Sequence, residues 1–234
     1  MEQICMERIM IGEIPAILWG EPSEKLFLYI HGKSGYKEEA EILAEIVCPK
    51  GWQVLSFDLP EHGERKNESN TLNPWTVVPE LEAVYQYAAK NRSKLSVYAN
   101  SLGAWFSLLA LKEKQLERCL FVSPVLDMQK LIENMMRWAG VNEGDLEREQ
   151  EIATDFGETL SWNYYCYAKE HPVEKWKCPT SILYAGKDNL TEREVVDGFA
   201  EKFHCRLTVM EEGEHWFHTK EQLEFLRGWI RENV

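Results

Sequence analysis

The chain has 234 residues, enough for one domain with a full core, and its 44% hydrophobic and 28% charged content is that of a soluble globular protein. Lys plus Arg number 26 against 39 Asp plus Glu, a formal net charge of -13. That balance argues against nucleic acid and anionic membranes as partners, because phosphate binding needs a basic surface. No stretch approaches the roughly 18 apolar residues of a membrane span. Met1-Glu2-Gln3 opens no cationic and apolar leader, so a cytoplasmic protein is expected. The six cysteines (5, 48, 119, 166, 178, 205) show no C-x-x-C spacing, and free, buried thiols are expected.

In chain order, Met6–Ile11 and Ile14–Trp19 read as two short strands joined by Gly12-Glu13, an antiparallel edge. Strand Leu26–Ile30 follows, then a helix over about Lys37–Cys48, ended by Lys50-Gly51. Strand Gln53–Phe57 leads into a polar loop, Glu61–Asn73, and a helix over about Val77–Asn91. Strand Leu95–Tyr98, helix Leu102–Lys114 and strand Cys119–Ser123 come next. Residues Asp127–Trp176 break the rhythm and read as two or three helices, an insertion that caps the domain. Strand Thr180–Tyr184, helix Glu192–Phe203, strand Cys205–Met210 and helix Thr219–Glu232 complete the chain. Strands alternating with helices imply a mostly parallel sheet covered on both faces. One domain over 1–234, with the cap at about 127–176, is expected.

The chemistry centres on Ala99-Asn100-Ser101-Leu102-Gly103, between a strand and a helix. A serine at such a turn, with small residues two before and two after it, reads as a nucleophile elbow. Ala99 stands where the usual G-x-S-x-G pattern has its first glycine, at a cost of one methyl group. A nucleophilic serine needs a base, the base needs an orienting acid, and the developing oxyanion needs donors. Downstream, one strand ends in Ala185-Gly186-Lys187-Asp188 and the next in Glu211-Glu212-Gly213-Glu214-His215. Upstream, Leu26–Ile30 runs into His31-Gly32-Lys33-Ser34-Gly35, and Gln53–Phe57 into Asp58-Leu59-Pro60-Glu61-His62-Gly63.

These pieces, in this order along nearly the whole chain, resemble the α/β-hydrolase fold family, most of all its small bacterial serine esterases, acylglycerol lipases and serine aminopeptidases. The resemblance implies an eight-stranded sheet with a helical cap after the sixth strand. It implies a Ser101–Asp188–His215 triad, with the backbone N–H groups of Lys33 and Leu102 as oxyanion donors. It also implies hydrolysis of a small-molecule carboxylic ester or thioester through an acyl-enzyme, with no cofactor and no metal. Oligomeric state stays open. So does a serine aminopeptidase or amidase acting on small peptides, and a non-catalytic ligand-binding protein on the same fold.

Rival readings attach to several residues. His218 competes with His215 as the base, and the two could form an H-x-x-H metal pair, though no H-E-x-x-H pattern supports one. Asp127 competes with Asp188 as the acid, or caps the first cap helix. Gly32-Lys33-Ser34 looks like the end of a phosphate loop, but Phe27 stands where that loop needs glycine. His31 and His62 read as structural imidazoles that hold loop backbone, with Asp58 and Gly63 shaping the second loop. The cap aromatics Trp138, Phe156, Trp162, Tyr164, Tyr165, Tyr167 and Trp176 either line a pocket for an apolar or aromatic acyl group or pack cap against core. The acidic cap residues Glu143, Asp145, Glu147, Glu149, Glu151 and Asp155 read as a solvated face or as attraction for a cationic substrate end.

Overall fold

The computed structural model describes residues 4–90 and 92–234; the opening Met1-Glu2-Gln3 and the expected helix end at Asn91 lie outside the described residues. The chain builds β1 (Met6–Ile11), β2 (Ile14–Trp19), β3 (Lys25–Ile30), α1 (Glu41–Val47), β4 (Gln53–Phe57), α2 (Pro74–Ala89), β5 (Lys94–Asn100), α3 (Leu102–Ala110) and β6 (Cys119–Val122). After β6 come α4 (Met128–Ala139), α5 (Glu143–Glu149), the hairpin strands β7 (Glu151–Ala153) and β8 (Thr159–Ser161), and α6 (Trp162–Glu170). The chain ends with β9 (Thr180–Ala185), α7 (Arg193–Phe203), β10 (Arg206–Met210) and α8 (Lys220–Asn233).

Eight strands form one sheet in the order β1-β2-β4-β3-β5-β6-β9-β10. The β1–β2 and β2–β4 pairs are antiparallel, and every other neighbouring pair is parallel. This is the expected α/β architecture. Continuously apolar strands belong in such a sheet because helices cover both faces. On one face Leu28, Leu55, Val97, Phe121 and Ile182 pack with Val77, Leu81, Trp105 and Phe106 of α2 and α3. On the other, Phe27, Val54, Tyr98 and Leu183 pack with Leu43 and Val47 of α1 and with Leu226, Trp229 and Ile230 of α8. Chain order turns at β3, whose two neighbours are β4 and β5. In an open parallel sheet that is where the loops at the carboxyl ends part and leave room for a ligand.

Two helices differ from the sequence expectation for identifiable reasons. α2 begins three residues earlier than Val77, because Asn73 Oδ1 caps the Thr76 N–H at 2.9 Å and Pro74 takes the first helical position, where its missing N–H costs nothing. α3 stops at Ala110 instead of Lys114, and Lys114 donates its N–H to Leu111 O in a turn at 3.0 Å. The stretch between β6 and β9 holds three helices, as expected, and also the β7–β8 hairpin, which the sequence reading does not contain. The six cysteines are free. They are not uniformly buried: Cys119 is buried, Cys5 exposed, and the others half-buried. Among the described residues no helix is long and apolar enough to cross a membrane.

Candidate active site

Ser101 sits between β5 and α3 with φ 47° and ψ -117°, a conformation a non-glycine residue adopts only when its surroundings enforce it, at about 1–3 kcal/mol. Three backbone bonds do so. Ser101 N–H donates to Val122 O at 3.0 Å, and Ser101 O accepts from Ala104 N–H and Val125 N–H, each at 3.1 Å. The turn also needs Gly103, since a Cβ there would lie 2.5 Å from His31 O and 2.7 Å from Ile30 O. Any larger residue would push α3 off the end of β3. Ala99, fully buried, fits with its methyl, which explains why the first glycine of the usual pattern is dispensable.

The loops after β9 and β10 bring two more side chains to the serine. His215 Nε2 lies 2.8 Å from Ser101 Oγ, and His215 Nδ1 lies 2.7 Å from Asp188 Oδ2. The Asp188 carboxylate is fully buried. Its other oxygen, Oδ1, accepts the Leu190 N–H at 2.8 Å and the Thr191 N–H at 3.0 Å. The residues expected from the sequence as nucleophile, base and acid therefore form one hydrogen-bonded chain. His218 lies outside it: its Nδ1 donates to Trp216 O at 2.7 Å, and its ring stacks on Trp216. Asp127 is also outside it and caps α4, accepting the Lys130 N–H at 2.9 Å. Among the described residues no group of three or more His, Cys, Asp or Glu side chains is arranged to hold a metal ion.

The loop after β3 passes directly over the serine, for a Cβ on Gly32 would lie 3.1 Å from Ser101 Cβ. Lys33, the next residue, makes no backbone hydrogen bond through its N–H among the described residues. Leu102 is the first residue of α3, so its N–H is one of the four that a helix leaves without an internal partner, at the positive end of the helix dipole. Leu102 thus follows Ser101 directly, and Lys33 follows the glycine that packs against that serine.

Two contacts that sequence reasoning misses tie the β6–β9 excursion to this site. Lys33 Nζ pairs with Glu158 beside β8, a meeting of residues far apart in sequence that no local pattern signals. Tyr164 of α6 stacks on Trp105 of α3, centroids 5.6 Å apart, and meets Trp75 edge-on at 6.2 Å. The aromatic residues of the excursion divide between two jobs. Trp176 is core, packed on Phe121 at 5.9 Å with its Nε1 donating to Thr180 Oγ1. Trp138 and Phe156 are exposed and meet edge-to-face at 6.2 Å, and Trp138 lines a cleft with Arg137 and residues 188–192. Of the acidic residues, Glu143 pairs with Lys169, and Asp145 and Glu149 with Arg148, while Glu147, Glu151 and Asp155 are exposed to solvent.

No protein-family model matches the sequence, and no curated protein matches it. Solved structures do. A hydrolase from Agrobacterium vitis S4 aligns over 99% of this chain and 99% of its own, with 16% identity and a TM-score of 0.78. Est1E from Butyrivibrio proteoclasticus, solved with ferulic acid bound, aligns over 97% of each chain with 22% identity and a TM-score of 0.74. The thioesterase domain from the curacin biosynthetic pathway aligns over 98% of this chain and 99% of its own, with 15% identity and a TM-score of 0.62. With the expected eight-stranded, mostly parallel sheet, matched from end to end by these structures, the chain has the α/β-hydrolase fold.

Proposed function

We propose that this protein is a serine hydrolase that cleaves carboxylic esters through an acyl-enzyme intermediate. The observation that carries the reading is the continuous Asp188–His215–Ser101 hydrogen-bonded chain, its serine held in a strained elbow. In the proposed mechanism Ser101 Oγ attacks the ester carbonyl carbon while His215 Nε2 takes its proton. Asp188 keeps the other imidazole proton on Nδ1 and stabilises the imidazolium. The carbonyl oxygen, now an oxyanion, accepts the Lys33 and Leu102 N–H groups. The intermediate collapses, and the alcohol leaves with the proton from His215. Water then repeats the sequence against the acyl-serine and releases the carboxylic acid.

Residues 1–234 act in this reading as one domain, with the excursion at about 127–176 as a cap. The proposed acyl group is apolar or aromatic. Its support is the exposed Trp138 and Phe156 pair and the ferulic acid held by Est1E. Thioesters suit the same machinery, as the thioesterase neighbour illustrates. The aminopeptidase alternative keeps only part of its motive, because Glu143 and Asp145 are paired while Glu147, Glu151 and Asp155 face solvent.

A fluorophosphonate probe tests the reading. It should label Ser101 and nothing else, and Ser101→Ala should lower kcat on an activated ester by about 10⁶ while the fold persists. Labelling at another residue, or an active Ser101→Ala protein, would overturn it.

A further inference from the structure

Two histidines beside the site take no part in the Asp188–His215–Ser101 chain, and they grip each other's loops. His31, at the end of β3, accepts the Leu59 N–H on Nε2 at 3.0 Å and donates from Nδ1 to Gly32 O at 2.7 Å. His62, in the loop after β4, accepts the Ser34 N–H on Nε2 at 2.8 Å and donates from Nδ1 to Pro60 O at 2.7 Å. The ring centroids are 5.1 Å apart. An N–H that points at Nε2 leaves each ring's proton on Nδ1, so the network selects one tautomer for both.

The backbone that His62 grips is strained. Ser34 has φ 65°, and a serine stays there only while its surroundings over-determine it. The Ser34 N–H belongs to the peptide plane that begins at Lys33 C=O. Gly35 N–H donates to Gly32 O at 3.1 Å and closes the turn around Lys33. His62 thus fixes the plane on the carboxyl side of Lys33, and its neighbour Gly32 is fixed by His31. The base of the clasp is a buried ion pair: Asp58 accepts the Lys37 N–H at 3.0 Å, Lys37 Nζ at 2.6 Å and the Glu64 N–H at 3.0 Å. Gly63, at φ +53°, lies so close that any Cβ would overlap the Asp58 carboxylate.

We infer that His62 is a positioning residue, holding the Lys33 N–H in register with Ser101 through its bond to the Ser34 N–H. The inference rests on the reading of Ser101 and Lys33 given above. It differs from a merely structural role because a displaced oxyanion donor weakens the transition state and leaves ground-state binding alone.

Asparagine and glutamine separate the two bonds of the ring. An amide on asparagine reaches the Nδ1 position and keeps the contact to Pro60 O. On glutamine it reaches the Nε2 position and keeps an acceptor for Ser34. In protein whose Ser101 is first shown to take the fluorophosphonate, His62→Asn should lower kcat at least about tenfold, short of the 10²–10³ for an oxyanion donor removed outright, with KM within about twofold. Its affinity for a boronic acid, which presents a tetrahedral oxygen to the donors, should fall by the same factor. His62→Gln should stay within about threefold of the wild type in both measurements. Wild-type kcat and boronic acid affinity in folded His62→Asn would overturn the inference, as would equal losses in both variants. A wild-type protein that does not label at Ser101 would instead overturn the reading beneath it.

Discussion

Asp188 divides its two oxygens between two tasks, and that division makes its replacement informative. Oδ1 holds the Leu190 and Thr191 N–H groups while Oδ2 faces His215 Nδ1. In Asp188→Asn the amide oxygen stays on those two donors, so the amide NH₂ must face the imidazole. His215 then carries its proton on Nε2 and cannot accept one from Ser101. The cost should be about 10⁴ in kcat, the loss recorded for the equivalent change in the serine-protease triad. Asp127→Asn should leave turnover intact, since asparagine caps α4 about as well as aspartate does; kinetics of both variants on one activated ester decides, and the opposite ranking would remove Asp188 from its role. His31 yields a prediction about pH. Burial lowers its pKa to about 4 from 6.5, with further lowering from His62 and Lys37 and partial offsets from the Gly32 carbonyl and Asp58. Between those values the unfolded chain binds a proton that the folded chain refuses. The stabilisation is therefore complete above about pH 6.5 and is lost as pH falls toward about 4, on the order of 3 kcal/mol in all. Urea unfolding of the wild type and His31→Gln should show a gap in stability that narrows steadily as the solution is acidified through this range. A constant gap would mean that His31 does not titrate between the two states.

At the scale of elements, the sequence was readable wherever an apolar strand ended in a small, polar turn. β3, β5, β9 and β10 each end in such a turn, and each turn carries one part of the site. The place of Asp188, behind Gly186-Lys187 and directly after the strand that precedes the His215 strand, is what favoured it over Asp127. Elements without periodicity were not readable. β7 and β8 are three residues each, too short for an alternating pattern to register, and Thr154, whose hydroxyl donates to Glu158 O at 2.7 Å, closes the turn between them. Asn73-Pro74 reads equally as a turn or as a cap with proline at the first helical position, and only packing decides between them. The clasp between the loops after β3 and β4 was half legible. His31 and His62 were recognisable as imidazoles that hold backbone, but which N–H each one accepts depends on how two loops 28 residues apart lie against each other.

On the scale of the whole molecule, the net charge of -13 acts on every substrate before it reaches the serine. The rim of the site does not reverse that field. The loop bearing His215 exposes Glu211, Glu212 and Glu214, Lys187 and Lys33 are already engaged with Glu212 and Glu158, and the exposed Arg137 of the cleft beside the Asp188 loop is a single cation against them. A cationic ester should therefore be favoured over an anionic ester with the same acyl group, through faster encounter more than through any specific contact. Screening distinguishes this from a built-in recognition pocket. The Debye length shrinks from about 30 Å at 0.01 M salt to about 3 Å at 1 M, so a long-range field fades while a close contact persists. The ratio of kcat/KM for the cationic ester over the anionic ester should be several-fold at about 0.01 M salt and approach unity toward 1 M. A ratio that holds constant across that range would place the discrimination in direct contacts with the substrate. A ratio near unity throughout would mean that the -13 charge is directed away from the mouth of the site.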